Sequence, residues 1–292
     1  MITFRELIDN NIITEEIHKE LQSILDQPET DRGDYPAVMR HQNKLNTFVK
    51  KFKSLSANNE DTGLQDDKPK KGSSRAVFFP SEARQIHIDG KPAAQHTAVK
   101  IAFPGALDRY TGSNKLLGEH QNEIESDNYT RKAHSMLVEG KEGHYTTNED
   151  GVTAPVLGSH PDSHWLEMAK ADNMTGAKFK SLTKTDTHPK GLDFKKFVDV
   201  LQHGHAEAHG QRHYTDMMGH EMDHIRQHPL FQNTQDFMYA TDNHPGDLRM
   251  QNYGVWKHPV TGKEYPVIRD YGFSNHIAGL YTKARRKQWD IR

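Results

Sequence analysis

The chain has 292 residues, enough for one large or two modest domains, and its 38 Lys and Arg against 40 Asp and Glu leave a formal charge of -2, which excludes a uniformly basic nucleic-acid or membrane-surface binder. The absence of Cys excludes a disulfide framework, a thiolate metal site and a Cys nucleophile, and it fits a reducing compartment such as the cytoplasm. A hydrophobic fraction of 34% and a mean hydropathy of -0.90 predict a modest core with long polar connections, and no run reaches the ~18 apolar residues of a membrane span.

The opening MITFRELIDNN carries acidic residues where a secretory leader would be basic and then apolar, so a leader is not expected. Thr14 with Glu15 and Glu16 can cap and charge a helix start, and Ile17, Leu21, Ile24 and Leu25 then repeat at helical spacing. After the turn-rich DRGDYP, a second stripe of Leu45, Phe48, Val49 and Phe52 completes a predicted helical hairpin, an extension over residues 1–55. Residues 56–72 have almost no apolar content and read as a linker.

From Arg75 the pattern changes to short β-rich runs, RAVFF, RQIHI and HTAVKIAF, separated by Pro, Ser, Gly and Asp, which predict an antiparallel sheet. A helix is expected over 113–126, SNKLLGEHQNEIES, followed by strand candidates in SMLVEG, APVL and HWLEMA. Past KGLD, the stripe Phe194, Phe197, Val198 and Leu201 marks another helix with Asp193 near its start, and YGVW and YPVIR supply a late pair of short strands. The fold class expected from this order is α+β.

Phosphoryl transfer needs a lysine for the nucleotide phosphates, carboxylate and amide oxygens for Mg²⁺, and an Asp near the attacking hydroxyl. Those residue types occur here in a matching order. Lys100 lies inside the strand-like TAVKIAF, Glu123 lies on the following helix, Asp247 and Asn252 are spaced D-x-x-x-x-N in GDLRMQN, and Asp270-Tyr271-Gly272 follows the strand in VIRDYGFS. On these residues the chain resembles the protein kinase-like family, from about residue 72 to 275. The resemblance implies a two-lobed fold with an N-lobe over 73–169 and a reduced C-lobe over 170–292, with ATP and Mg²⁺ as cofactors. It implies Lys100 as the phosphate-binding lysine, Glu123 as its ion-pair partner, Asp247 as the catalytic base, and Asn252 and Asp270 as metal ligands. Between Glu123 and Glu125, the stripe Leu116, Leu117, His120 and Ile124, taken at about 100° per residue, places Glu123 beside the face expected to be buried.

Three departures from the family pattern bear on mechanism. KGSSRAVFF stands at the phosphate lid and keeps only Gly72, with Ser73 and Ser74 offering N–H groups and hydroxyls in place of further glycines; a plain linker-to-strand junction fits the stretch equally. Gly246 precedes Asp247 where protein kinases carry an Arg, which makes HPGDL similar to the loop of small-molecule phosphotransferases and removes the tie to a phosphorylated activation loop. Only 20 residues follow Gly272, so the long activation segment and the peptide-substrate platform have no evident counterpart. The result resembles a minimal or degenerate kinase similar to bacteriophage-encoded kinase-like proteins, acting in a host cytoplasm or carried in a virion. Two functions stay open: a phosphotransferase acting on protein hydroxyls, and a pseudokinase serving as a binding or virion-associated structural module, with virion proteins as candidate partners. Neither a nucleic acid nor a membrane is an expected partner.

A third function is a zinc peptidase. Within the His-rich stretch 203–228, His220-Glu221-Met222-Asp223-His224 fits H-E-x-x-H, so His220 and His224 would share a helix face and Glu221 would serve as general base. Asp223 places a charge between the histidines and the spacing indicates no clear third ligand, so a solvated His-rich helix is the expectation. The ending KARRKQWDIR is basic and reads as a solvated terminus with weak capacity for an acidic partner.

Overall fold

The computed structural model describes residues 2–3, 74–79, 83–102, 111–208, 210, 217, 219–243, 246, 248–272 and 274–290. The expected helical hairpin over 14–25 and 45–52 and the linker at 56–72 lie outside the described residues. The fold is mixed α+β, with three sheets and seven α-helices among the described residues. None of those helices is long and apolar enough to cross a membrane.

The largest sheet has five strands: β1 (Ile2–Thr3), β2 (Arg75–Phe78), β5 (Thr97–Ala102), β9 (Trp165–Ala169) and β8 (Val156–Ser159), in that spatial order. β1 pairs parallel with β2, and the remaining neighbours are antiparallel. All six residues of β5 and all five of β9 are buried, the pattern of central strands covered on both faces. Helix α1 (Leu117–Ser126) lies against β5, β8 and β9.

A second sheet has the order β4 (Lys91–Gln95), β3 (Arg84–Ile88), β7 (His144–Thr147) and β6 (Leu137–Lys141). Asp89 and Gly90, at φ 51° and 76°, turn the β3–β4 hairpin. Positive φ at both central positions suits a right-twisted two-residue hairpin, and Asp-Gly adopts it at low cost. The Asp89 carboxylate also accepts the N–H and hydroxyl of Thr147, tying the turn to β7.

Helix α2 (Asn128–His134) follows α1 directly, with Asp127 capping it by accepting Thr130 N–H. The later helices are α3 (Gly176–Leu182), α4 (Phe194–Ala208), α5 (Gly219–Arg226), α6 (Pro229–Thr241) and α7 (Asn275–Asp290). The third sheet is β10 (Asp172–Asn173), β11 (Tyr253–Lys257) and β12 (Glu264–Ile268), all antiparallel. Phe179, Phe194 and Phe197 pack edge-on around Tyr253 of β11, at ring-centroid distances of 6.0, 5.1 and 6.4 Å. One apolar cluster runs from Ile86, Val77 and Leu166 through Met174 to Phe197, Phe231 and Val267, so the sheets and the helices share a continuous core.

Candidate functional site at the Lys100 strand

Lys100 sits in the middle of β5, opposite Val77 of β2 and Leu166 of β9, and is completely buried. An ammonium in that position is tolerated only with partners, because desolvation costs several kcal/mol per ion in real proteins, on the order of the attraction it must be offset by. Its Nζ donates to Glu125 Oε2 at 2.6 Å and to the Arg269 carbonyl at 2.6 Å, and lies 3.6 Å from Asp270 Oδ1. Burial lowers the Lys100 pKa; Glu125 and Asp270 pull it back upward.

The partner is therefore Glu125, in place of the expected Glu123. Glu123 is exposed on the outer side of α1, where it accepts from Lys115 Nζ at 3.0 Å. The physical reason is that the apolar stripe of α1 does not face the sheet. Leu117 and Ile124 pack with Ile277 and Leu280 of α7, whereas the sheet side of α1 is polar: Gln121, Asn122 and Glu125 are all buried. Cations meet Asn122 and Glu125 there. Glu125 accepts from Lys100, from Arg75 Nη2 at 2.8 Å, and from the backbone N–H groups of Tyr271 at 3.1 Å and Gly272 at 2.9 Å.

Two glycines permit this closeness. A Cβ on Gly118 would lie 2.2 Å from the Ser74 carbonyl oxygen, and one on Gly272 would lie 2.6 Å from that of Gln121. Either contact is with backbone, so α1 could not sit where it does against β2 on one side and the 270–272 segment on the other.

Arg75, at the start of β2, is a site residue that sequence inspection missed. Its guanidinium bonds Glu125 and Asp270 through Nη2 and Asn122 Oδ1 through Nη1, the last at 3.2 Å. Burial disfavours the ionised form of Asp270, but Lys100 and Arg75 outweigh it and hold the carboxyl well below the usual range. Strand-edge arginines are ordinary in sequence, and nothing in RAVFF marks this one.

Arg269 braces the other side of Asp270. Its Nε and Nη2 donate to the Gln251 carbonyl at 3.1 and 2.9 Å, and Nη1 donates to the Ala171 carbonyl at 3.2 Å. Its backbone N–H reaches the Asn252 carbonyl at 2.8 Å. Asn252 is buried at the end of a short 3₁₀ turn, Met250–Asn252, entering β11. The structure thus brings the 250–252 turn, the end of β12 and the Lys100 strand into one neighbourhood. Asp247, Gly72 and Ser73 lie outside the described residues. Ser74 is buried and its hydroxyl donates to Gln121 Oε1, so that hydroxyl is committed to α1 rather than offered to a phosphate.

The H-E-x-x-H segment does form a helix, α5, but one packed on α4 and α6 with His220 and His224 both exposed. Glu221 accepts from Lys196 Nζ at 3.1 Å, and the His224 ring lies beside His188 at 4.2 Å. His188 Nε2 bonds the His224 carbonyl and His228 Nε2 bonds the Thr183 carbonyl, so these imidazoles hold the helix ends together. Among the described residues, His220 and His224 join no cluster of three candidate metal ligands.

Comparison with protein-family models, with curated proteins and with solved structures gives no match to this chain.

Proposed function

We propose that the Lys100 site is a kinase-like nucleotide site and that the protein is an ATP- and Mg²⁺-dependent phosphotransferase acting on protein hydroxyls, in a two-lobed arrangement whose second lobe is reduced. One observation carries this reading: a fully buried strand lysine held by a helix carboxylate, with the Asp that follows a β-hairpin 3.6 Å away. Ordinary structural lysines are solvated, and a buried one so paired points to a site. The strand order supports it too, since β5 lies between β2 and β9 while Asn252 and Asp270 flank the β11–β12 hairpin.

The donor set fits Mg²⁺, a hard cation that takes carboxylate and amide oxygens, here from Asp270 and Asn252. When bound, MgATP supplies the γ-phosphoryl group and a cation to neutralise its oxygens. Lys100 would hold the phosphates, with Glu125 fixing the ammonium in place. Asp247 would orient the acceptor hydroxyl and take its proton as the oxygen–phosphorus bond forms and ADP leaves. The two cations Lys100 and Arg75 already balance the two carboxylates Glu125 and Asp270. A bare divalent cation would leave that balance positive, so metal and nucleotide should enter together.

A second reading is supported by the Arg75 contact. Its guanidinium stands on the Asp270 oxygen that a metal would take, which suits a pseudokinase used as a binding or virion-associated module. Calorimetry of ATP with and without Mg²⁺, followed by autophosphorylation of wild type and Asp247→Asn, separates the two. Mg²⁺-dependent ATP binding, with transfer lost in Asp247→Asn and binding kept, is the expected result. A folded protein that binds no ATP would leave only the second reading.

A further inference from the structure

The turn that joins β8 to β9, HPDSH at 160–164, carries a cluster that the Lys100 site does not use. One candidate ligand atom from each of His160, Asp162 and His164 lies within 4.8 Å of the other two. The rings of His160 and His164 are stacked at 4.5 Å, and Asp162 Oδ2 lies 3.9 Å from His160 Nδ1. Behind the cluster, Glu119 Oε1 accepts from His164 Nδ1 at 2.6 Å. With Nδ1 engaged by the carboxylate, Nε2 is the nitrogen that His164 can present to a metal. The bond to Glu119 is the orienting contact that metal-bound histidines characteristically make.

The turn is built to hold its shape. His160 N–H donates to the Trp165 carbonyl at 3.0 Å, Ser163 N–H donates to the His160 carbonyl at 2.9 Å, and Ser163 is held at φ 60°. Buried Asn122 of α1 donates to the Ser163 carbonyl at 2.9 Å. A non-glycine residue at positive φ is uncommon and persists where surrounding bonds impose it. Here those bonds place two imidazoles and a carboxylate on one side of the turn.

We infer that His160, Asp162 and His164 form a Zn²⁺ site, with Glu119 as the carboxylate that positions His164. Two imidazoles and one carboxylate are a donor set that suits Zn²⁺ and leaves a fourth position for water. Zinc–ligand distances of about 2.0–2.2 Å require the three atoms to close up by an ångström or so. Asp162, whose side chain is 76% exposed, is free to swing in. At His160 the Nδ1 lone pair now accepts the Asp162 N–H at 3.0 Å, and the metal takes that lone pair in its place. Because Glu119 and Asn122 both belong to α1, a bound ion would also pin the turn to the helix that carries Glu125. The site stands independently of any phosphotransferase activity.

The test uses the full chain without a histidine tag, stripped with a chelator and titrated with Co²⁺ and then Zn²⁺. The expected result is one equivalent of Co²⁺ with the intense visible absorption of a tetrahedral site, displaced by Zn²⁺. Asp162→Asn and His160→Ala should lose that spectrum, Glu119→Gln should weaken binding about 10–100-fold, and His220→Ala should change nothing. Asp162→Asn decides the matter if His160→Ala fails to fold, since its side chain is exposed and its N–H is kept. No tetrahedral Co²⁺ site in wild type, or an undiminished one in Asp162→Asn, overturns the proposal.

Discussion

Replacing Glu125 with Ala removes the acceptor of four donors at once: Lys100 Nζ, Arg75 Nη2 and the N–H groups of Tyr271 and Gly272. Lys100 then keeps only the Arg269 carbonyl at 2.6 Å and Asp270 at 3.6 Å, and it is completely buried. Breaking a buried pair by removing one partner costs about 3–5 kcal/mol. The two orphaned backbone N–H groups add roughly 1 kcal/mol each at least, and a closer approach of Lys100 to Asp270 gives part of that back. A net loss of about 3–5 kcal/mol corresponds to a fall in Tm on the order of 6–20 °C for a chain of this size class. Glu123→Ala is the matched control, since its pair with Lys115 is exposed and worth under about 1 kcal/mol. The double variant Lys100→Met/Glu125→Leu should recover part of the loss, because it removes the buried ammonium along with its carboxylate, while Arg75 keeps Asp270 and the two N–H groups stay unpaired. Thermal unfolding followed by circular dichroism checks all of these. If Glu125→Ala melted within a degree or two of Glu123→Ala, the claim that α1 is seated by this carboxylate would be wrong.

Asp270 should make stability acid-sensitive. Its carboxyl pKa is depressed in the folded protein, so its contribution is complete above the unfolded value of about 3.9 and is lost as pH falls below that. The stability gap between wild type and Asp270→Asn, measured by urea unfolding from pH 6 to pH 2, should therefore narrow toward acid, and a constant gap would refute the assignment. Arg75→Met should free the Asp270 oxygen and tighten Mg²⁺-dependent nucleotide binding by about tenfold, ~1.4 kcal/mol by calorimetry, while lowering the unfolding midpoint. Weaker nucleotide binding in a folded Arg75→Met protein would show that the guanidinium serves the ligand rather than displacing it. Gly272→Ala places a Cβ within 2.6–2.8 Å of Gln121 backbone and side-chain atoms and should cost about 1–3 kcal/mol in urea unfolding. Asn252→Ala should weaken Mg²⁺-dependent nucleotide binding and leave metal-free nucleotide binding unchanged, as read by the same calorimetry.

The strands were the legible part of the chain. TAVKIAF, HWLEMA, YGVW and YPVIR all carry apolar or β-branched runs between turn residues, and each coincides with an observed strand to within a residue at either end. KPAAQ was not legible as β4, since Pro92 and two alanines are weak strand formers; Asp89-Gly90 was the available signal, and it lies in the turn before it. The lysine of the site could be found because a strand lysine stands out among valines and alanines. Its glutamate could not be found by periodicity. The usual inference equates the apolar stripe of a helix with its buried side, and α1 has two buried sides, one apolar toward α7 and one polar toward the sheet. Which of them faces Lys100 depends on Arg75, some 50 residues away in the chain, and no local pattern encodes that. The H-P-D-S-H turn is a short motif whose meaning rests on Glu119, again a tertiary neighbour.

The polar inner face of α1 has a mechanical consequence. Apolar ridges can re-seat in a neighbouring groove with one methyl contact replacing another. Hydrogen bonds to a single carboxylate have no such alternative position. Advancing α1 by one turn, about 5.4 Å, would carry Glu125 past Lys100 and Arg75 and present the amides of Gln121 or Asn122 in its place. Two buried cations would then share Asp270 as their one remaining carboxylate, so a displaced helix loses the pairing that Glu125 gives both of them at once. The hydrogen bonds to Glu125 thus define one seat for the helix, set by where four donors converge on a single carboxylate.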